Sequence, residues 1–87
     1  MPVYVDNARL PYRKMIMCHM VADTHEELVE MADLIGVNRR WIQKEGTYAE
    51  HFDICLVKRN KAIKNGATVI DSRQLASILK RKRNLSG

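Results

Sequence analysis

An uninterrupted apolar run, Met15 to Ala22, constrains the fold more than any other feature of the sequence. Its eight residues have the length of a strand that is buried on both faces, and His19 is the one strongly polar side chain in it. Thr24 follows and has Glu27 three residues later, which is the capping-box pattern of a helix start. A buried strand that leads into a helix is typical of α/β proteins.

Strands and helices alternate along the rest of the chain. Besides residues 15–22, strands are predicted at 3–5, 37–44 and 67–70. Helices are predicted from the Thr24 cap to Gly36, over residues 54–65 with Asp53 as the cap, and from Asp71-Ser72 to the basic run at 80–83. The order β-β-α-β-α-β-α predicts right-handed crossovers and a mostly parallel, four-stranded sheet with three helices.

The chain has room for a single core. Its length predicts one small α/β domain over residues 1–87, with a basic tail at about 80–87. The apolar stripes of the helices and the last strand indicate which side chains form the core. These residues are Leu28, Met31, Ile35, Ile63, Val69, Leu75 and Ile78.

Positive charge is concentrated in the second half of the chain. The sequence has 15 Lys and Arg against 10 Asp and Glu, a net charge of +5. Residues 45–87 hold nine of the basic and four of the acidic residues. This excess favours a polyanionic partner, either nucleic acid, a nucleotide or an acidic protein. The run at 80–83 is equally consistent with a solvated tail.

Several features indicate a cytoplasmic protein without membrane contact. No apolar run approaches the ~18 residues of a membrane helix, and the N-terminus lacks the basic-then-apolar pattern of a signal peptide. Cys18 and Cys55 lie in apolar surroundings and form no C-x-x-C pair, so buried, reduced thiols are expected rather than a metal–thiolate site. A disulfide between them is the alternative that the spacing leaves open.

The densest group of arginine, aromatic and histidine residues lies between Arg39 and Asp53. Within a strand, Arg39 and Arg40 would point to opposite faces. They are either solvated side chains of an edge strand or part of a polar pocket where this strand ends and the next helix begins. Ligands of open α/β sheets bind beyond the carboxyl ends of the strands, which favours the pocket. The expected phosphate- and ligand-binding residues are Arg39, Arg40, Trp41, Asp53 and Arg59.

His19 and His51 are the candidate catalytic residues. One imidazole could accept a proton and the other donate one during phosphodiester chemistry, while arginines hold the charged oxygens. The alternatives are that His19 is a satisfied core residue and that His51 is solvated. His25, in the first turn of an acidic helix, is expected to be solvated. A function without catalysis is the other expectation, in which aromatic side chains stack a base while cations hold its phosphates. The aromatic candidates are Trp41, Tyr48 and Phe52, among the cations Arg39, Arg40, Lys44, Lys58 and Arg59.

A magnesium site is the rival to the histidine pair. Asp6, Asp23 and Asp71 all fall near predicted strand ends, where carboxylates can hold the ion for nuclease chemistry. Each is explained more simply as a turn or capping residue. We therefore predict no metal and no cofactor.

The same residues give the chain a resemblance to the domain of unknown function 4031 family, small bacterial and bacteriophage proteins. Family members carry Gly-Arg-Met before the histidine strand and often His-Tyr-Asp later, where this chain has Arg13-Lys14-Met15 and His51-Phe52-Asp53. The resemblance implies a fold and a set of recurring polar positions, and no reaction. It rests on residues 3–6, His19, Asp23-Thr24, Glu27-Leu28, Gly36, Arg39-Arg40, 51–54, Arg59, Ala62, Gly66-Ala67 and Ser72.

Together these features predict binding of a phosphate-bearing ligand, either a nucleotide or single-stranded nucleic acid, in a pocket lined by arginine and histidine. His-assisted phosphoester chemistry is a further possibility that the sequence leaves open, as it does the oligomeric state. The alternative is a protein-binding module without enzymatic activity. Such a module would dock through an exposed apolar patch, for which Met15, Met17 and Met20 are candidates.

Overall fold

The strand β3 (Met15–Ala22) is the centre of the sheet in the computed structural model, which describes residues 2–85. The run of apolar residues therefore forms the strand that its length predicts. The other elements, in chain order around β3, are β1 (Val3–Val5), β2 (Leu10–Tyr12), α1 (His25–Ile35), a 3-10 turn (Arg39–Trp41), β4 (Phe52–Cys55), α2 (Leu56–Lys64), β5 (Thr68–Val69) and α3 (Ser72–Leu85).

The sheet is mixed and has five strands in the described part of the chain, so the prediction of a mostly parallel, four-stranded sheet is wrong. β1 and β2 pair with one side of β3 and β4 with the other, all antiparallel. β1 and β5 form the parallel pair, with Tyr4 opposite Thr68. The connections between the strands explain this. A short turn leads from β2 directly into β3, and the segment 36–51 carries the chain back so that β4 runs antiparallel to β3.

The strand β2 and the turn after it are not among the elements predicted from the sequence. All three β2 residues are exposed, so no alternation of buried and exposed positions marks the strand. The turn itself places Arg13 at φ 56°, in the left-handed region. This is the conformation that glycine adopts without steric cost. Arg13 thus adopts the left-handed conformation of the turn, although family members have glycine at this position.

The helix α1 begins and ends where its local signals predict. Thr24 caps the helix by accepting a hydrogen bond from the Glu27 backbone N–H at 3.2 Å. Gly36 ends it at φ 79°, and its N–H bonds back to the last helical turn. Residues that have a Cβ atom are strained in that conformation, which explains why the helix ends at a glycine.

Alternation along β3 and β4 separates a core face from an outer face. On the core face, Cys18, Met20, Phe52 and Ile54 are all 0–1% exposed. The residues between them point to the other side of the sheet, which we call the outer face. Helices α1 and α2 pack against β3 and against each other.

Most of the predicted core is buried. Leu28, Met31, Ile35 and Ile78 are 0–8% exposed, and Ile63 packs partly buried against the core. Leu75 is of intermediate exposure. Val69 is 44% exposed and was wrongly predicted, because β5 is a two-residue edge strand with both side chains in solvent. Its neighbours Ala67 and Ile70 are buried in its place.

Residues 37–44 do not form the predicted strand. Asn38 accepts a hydrogen bond from the Arg40 backbone N–H at 3.0 Å and caps a 3-10 turn over Arg39–Trp41. The alternation of arginines with apolar residues is therefore not a strand pattern, because a side-chain cap competes locally with extended structure. Gln43 forms an isolated antiparallel bridge with His51.

Asp53 is not the cap of the second helix, as predicted, but lies within β4. Helix α2 begins later, at Leu56, with Cys55 as its N-cap residue. The sequence carried a competing strand signal, because polar and apolar residues alternate from His51 to Ile54. Phe52 and Ile54 are buried while His51, Asp53 and Cys55 are partly exposed, which is the period of two that a strand requires.

The basic residues Lys80 to Arg83 lie in the last turns of α3. One of them, Arg81, pairs with Asp23 at the end of β3 at 2.5 Å. Residues 86 and 87 of the predicted tail lie outside the described residues. Within residues 2–85, no helix combines the length and apolar character that crossing a bilayer demands.

The packing of α1 predicts a large loss of stability for Leu28→Ala. Leu28 is fully buried, and removing its side chain should lower the free energy of unfolding by about 2–5 kcal/mol. Leu34→Ala is the matched control, because Leu34 is in the same helix and 57% exposed. Urea unfolding followed by circular dichroism measures both. Equal losses for the two variants would contradict this account of the core.

Candidate functional site

Asp6 fixes the position and the tautomer of His19. Its Oδ1 accepts the His19 backbone N–H at 2.8 Å, and its Oδ2 lies 2.7 Å from His19 Nδ1. An ionised carboxylate can only accept hydrogen bonds, so the hydrogen of a neutral His19 ring is on Nδ1. The lone pair of His19 is consequently on Nε2, the ring nitrogen turned away from Asp6.

Arg59 holds the chain segment that carries Asp6. Its Nε donates to the Asp6 backbone oxygen at 3.0 Å, and a terminal nitrogen donates to Asn7 Oδ1 at 2.8 Å. Asp6 is 4% exposed, and a buried carboxylate is costly without a nearby cation and hydrogen-bond donors. The Asp6 carboxylate accepts hydrogen bonds from His19, and Arg59 supports the site by holding the Asp6 backbone.

The register of β3 and β4 brings His19 and Asp53 together. The two residues are direct cross-strand partners. His51, two positions before Asp53, falls on the same outer face, and Gln43 faces His51 across their bridge. Four polar side chains from three segments thus share one patch of the sheet.

Both Asp53 and His51 are oriented by hydrogen bonds. Gln43 Nε2 donates to Asp53 Oδ2 at 2.7 Å, which turns Oδ1 the other way. His51 Nδ1 lies 2.9 Å from the Ala49 carbonyl oxygen. A carbonyl only accepts, so Nδ1 carries the hydrogen and the lone pair of a neutral His51 is on Nε2.

Three acceptor atoms converge in what we call the histidine–aspartate cluster: His19 Nε2, His51 Nε2 and Asp53 Oδ1. Asp53 Oδ1 is 3.5 Å from His51 Nε2 and 3.8 Å from His19 Nε2. These distances exceed the about 2.7–3.2 Å of an N–H···O hydrogen bond. Among the described residues, Asp53 Oδ1 is buried and has no hydrogen-bond partner. The cluster therefore offers lone pairs to a proton or a cation.

The same cluster is the group best placed to hold a metal ion. Its three atoms lie within 4.8 Å of one another, and no other trio of histidine, cysteine, aspartate or glutamate in residues 2–85 comes together in this way. The magnesium candidates are engaged elsewhere. Asp6 contacts His19, Asp23 accepts from Tyr4, and Asp71 Oδ1 accepts the Gln74 backbone N–H.

A groove of about 640 Å³ runs beside the cluster and includes Asp53 in its lining. Trp41, also in the lining, is 61% exposed. The Arg40 guanidinium lies over the Trp41 ring at 4.9 Å from its centroid. We call the whole groove of about 640 Å³ the Trp41 groove. Its other lining residues include Leu10, Tyr12, Met15, Met17, Asn38, Gln43, Cys55 and Lys58.

The predicted site residues fall into two groups. His19, His51 and Asp53 meet in the cluster, with the two imidazole centroids 5.4 Å apart. Arg59 reaches the cluster only through Asp6. Trp41 and Arg40 line or flank the groove instead, and Arg39 is 2.7 Å from Asp33, an exposed ion pair that lowers the pKa of Asp33.

Two supporting residues were missed by sequence reasoning. Asp6 was treated as a turn or magnesium residue, although its place at the end of β1, beside the histidine strand, was a usable signal. Gln43 also lies at the end of a predicted strand, but its contact with Asp53 depends on the bridge to His51, which no local pattern specifies.

The third histidine, His25, is not simply solvated as expected. Its Nδ1 lies 3.0 Å from the buried carboxylate of Glu50. This hydrogen bond raises the pKa of His25. The pair lines a separate cavity of about 530 Å³ next to α3. His25 therefore stands apart from the histidine–aspartate cluster and provides an internal control for it.

Comparison with known proteins places this architecture in a family. A family model described as "Protein of unknown function (DUF4031)" matches residues 3–82, which include every residue of the cluster and both supporting residues. No curated protein and no solved structure matches the chain.

The cysteines near the site are predicted to differ in reactivity. Burial raises the pKa of the Cys18 thiol to about 11, and the negative charge of Asp6 adds to the rise. At about pH 8 that thiol is protonated and should not react with a disulfide reagent until the protein unfolds. Cys55 is partly exposed in the groove and should react in the native state. Two equally fast thiols in a stopped-flow assay, or a fast phase surviving in Cys55→Ser, would contradict this.

Proposed function

This chain belongs to the DUF4031 family, and we propose that it binds a phosphate-bearing ligand, a nucleotide or single-stranded nucleic acid, in the Trp41 groove. The observation that carries the proposal is the arrangement of the groove itself. It has an exposed indole flanked by cations along its wall and the histidine–aspartate cluster at Asp53.

Trp41 suits the stacking of a base. Of the other two aromatic residues expected to stack, Phe52 is fully buried and Tyr48 lines the separate cavity beside α3. An exposed aromatic side chain in a groove contributes about 1–3 kcal/mol per stacked base and does so with little sequence preference. The indole is 61% exposed, so it has surface available for a planar ligand. Arg40 over the same ring adds a guanidinium that can contact either a base or a phosphate.

Cations for the phosphate come from Lys58 and Arg40. Lys58 lines the groove, and Arg40 adjoins it through Trp41. The net charge of +5 adds a long-range attraction for anionic ligands. Arg39 and Arg59 are engaged with Asp33 and the Asp6 segment and support the proposal less directly.

The histidine–aspartate cluster is the place where phosphoester chemistry would occur. Asp53 belongs to both the cluster and the groove lining, so a ligand in the groove lies beside the two imidazoles. The Nε2 lone pair of one imidazole would accept a proton from the attacking water, and an imidazolium would donate a proton to the leaving oxygen. This proposed chemistry depends on the phosphate-bearing ligand proposed above.

A protein-binding module is the second candidate, favoured by the apolar part of the same groove. Leu10, Tyr12 and Met15 are 42–53% exposed, and all three line it. Met20, one of the methionines expected in such a patch, is fully buried and takes no part. A protein segment would cover these side chains without needing Lys58 or a phosphate.

We also propose a cytoplasmic location, as the sequence predicts. Cys18 and Cys55 are both free thiols. They lie on opposite faces of neighbouring strands, so they do not face each other for a disulfide, and free thiols are compatible with a reducing compartment.

The proposal predicts salt-sensitive binding that depends on Trp41. Fluorescence anisotropy of a labelled single strand and a labelled mononucleotide, in EDTA and at two salt concentrations, measures it. Trp41→Ala should weaken binding by about 1–3 kcal/mol, since a stacked base is lost. Lys58→Gln should reduce the logarithmic salt slope by roughly one, since one phosphate contact is lost.

Tyr48→Ala is the matched control for Trp41→Ala. Tyr48 is also exposed and also lies beneath an arginine, Arg83, but it lines the other cavity. Its removal should leave binding unchanged. Absent binding, or equal effects of the two substitutions, would reject the phosphate ligand and favour the protein-binding module.

A further inference from the structure

We propose that the histidine–aspartate cluster binds one divalent transition-metal ion through His19 Nε2, His51 Nε2 and Asp53 Oδ1. Two imidazole nitrogens and one carboxylate oxygen are a recurrent donor set for zinc and for other first-row metals. The donors come from two strands of one sheet and from the residue just before β4. The ion site is therefore built on rigid elements of the fold.

Each of the three donors has a partner that directs its lone pair into the cluster. The Asp6 carboxylate accepts a hydrogen bond from Nδ1 of His19, and the Ala49 carbonyl accepts one from Nδ1 of His51. Gln43 holds the second oxygen of Asp53. Carboxylates, backbone carbonyls and amides in these positions are the outer partners that orient metal ligands in known sites. All three donors are oriented before an ion binds.

The spacing of the donors fits a metal ion once the two imidazoles move closer together. Metal–nitrogen and metal–oxygen bonds of about 2.0–2.1 Å in tetrahedral geometry place two ligands about 3.4 Å apart. The two distances to Asp53 Oδ1 are 3.5 and 3.8 Å, and all three atoms lie within 4.8 Å. Side-chain rotations of the two partly exposed imidazoles, which are 30% and 17% exposed, would close the remaining gap.

Charge and burial also call for a cation at this position. Asp53 Oδ1 is buried and has no hydrogen-bond partner among residues 2–85, and such an oxygen is costly when it stays unsatisfied. Asp6 adds a second carboxylate, against the single guanidinium of Arg59. With neutral imidazoles the surroundings are net negative. A divalent ion would satisfy the orphan oxygen and reverse that balance.

Three protein ligands indicate a reactive rather than a purely structural ion. Structural zinc sites use four protein ligands, whereas sites with three leave a position for water or substrate. Asp53 also lines the Trp41 groove, so a phosphate oxygen of the proposed ligand could take that position; this last step, unlike the ion site, rests on the proposed function. Ion binding engages both Nε2 lone pairs, so neither histidine can serve as a general base while the ion is bound.

The test is metal binding by the full chain without a histidine tag, after EDTA treatment and its removal. Isothermal titration with Zn²⁺ and visible absorption with Co²⁺ give stoichiometry, affinity and coordination. We expect one ion per chain. Asp53→Asn and His51→Gln should each weaken binding at least about 100-fold, the upper end of the loss seen when an outer partner is removed. No nucleotide is present, so the result is separate from the groove assay in EDTA.

His25→Gln is the matched control, because it removes a histidine that contacts Glu50 outside the cluster. It should bind Zn²⁺ as the wild type does. Circular dichroism checks that each variant folds, and the two ligand substitutions make the result independent of either one alone. Stoichiometric binding abolished only in the cluster variants supports the site. No binding of Zn²⁺ or Co²⁺ by the wild type, binding that survives both substitutions, or an equal loss in His25→Gln would overturn it.

Discussion

The carboxylate of Asp6 holds the C-terminal end of β1 to β3 and orients the His19 ring at the same time. One oxygen takes the backbone N–H of His19 and the other lies at hydrogen-bond distance from its Nδ1. Because Asp6 is almost fully buried, its carboxylate depends on these donors, while Arg59 fixes the Asp6 backbone oxygen. The same carboxylate therefore extends the pairing of β1 with β3 by one residue and decides which nitrogen of His19 faces the cluster.

The antiparallel register of β3 and β4 completes the arrangement. It places Asp53 directly across from His19, and the period of two in β4 adds His51 to the same face. The opposite face carries Cys18, Phe52 and the rest of the core. A shift of one residue would expose the core side chains and scatter the cluster. Packing of the core thus protects the geometry of the site without touching it.

Local signals in the sequence predicted the elements that depend on local interactions. The apolar run gave β3, and Thr24 and Gly36 gave the ends of α1. Asp53 was misplaced because it is both a good helix cap and a member of a short alternating strand, and only pairing with β3 decides between them. The candidate histidines were identified, but their meeting depends on a long-range register that no local pattern specifies. The prediction of a mostly parallel sheet was wrong for the same reason, because strand direction also depends on long-range pairing.

The tautomers of the two cluster histidines test the account most directly. Long-range proton–nitrogen correlation NMR of the metal-free protein, at about pH 8.5 where ordinary histidines are neutral, reports which ring nitrogen carries the hydrogen. The account predicts the hydrogen on Nδ1 in both His19 and His51, because Asp6 and the Ala49 carbonyl accept it there. A hydrogen on Nε2 of either ring would contradict it, because the lone pairs would then point away from Asp53.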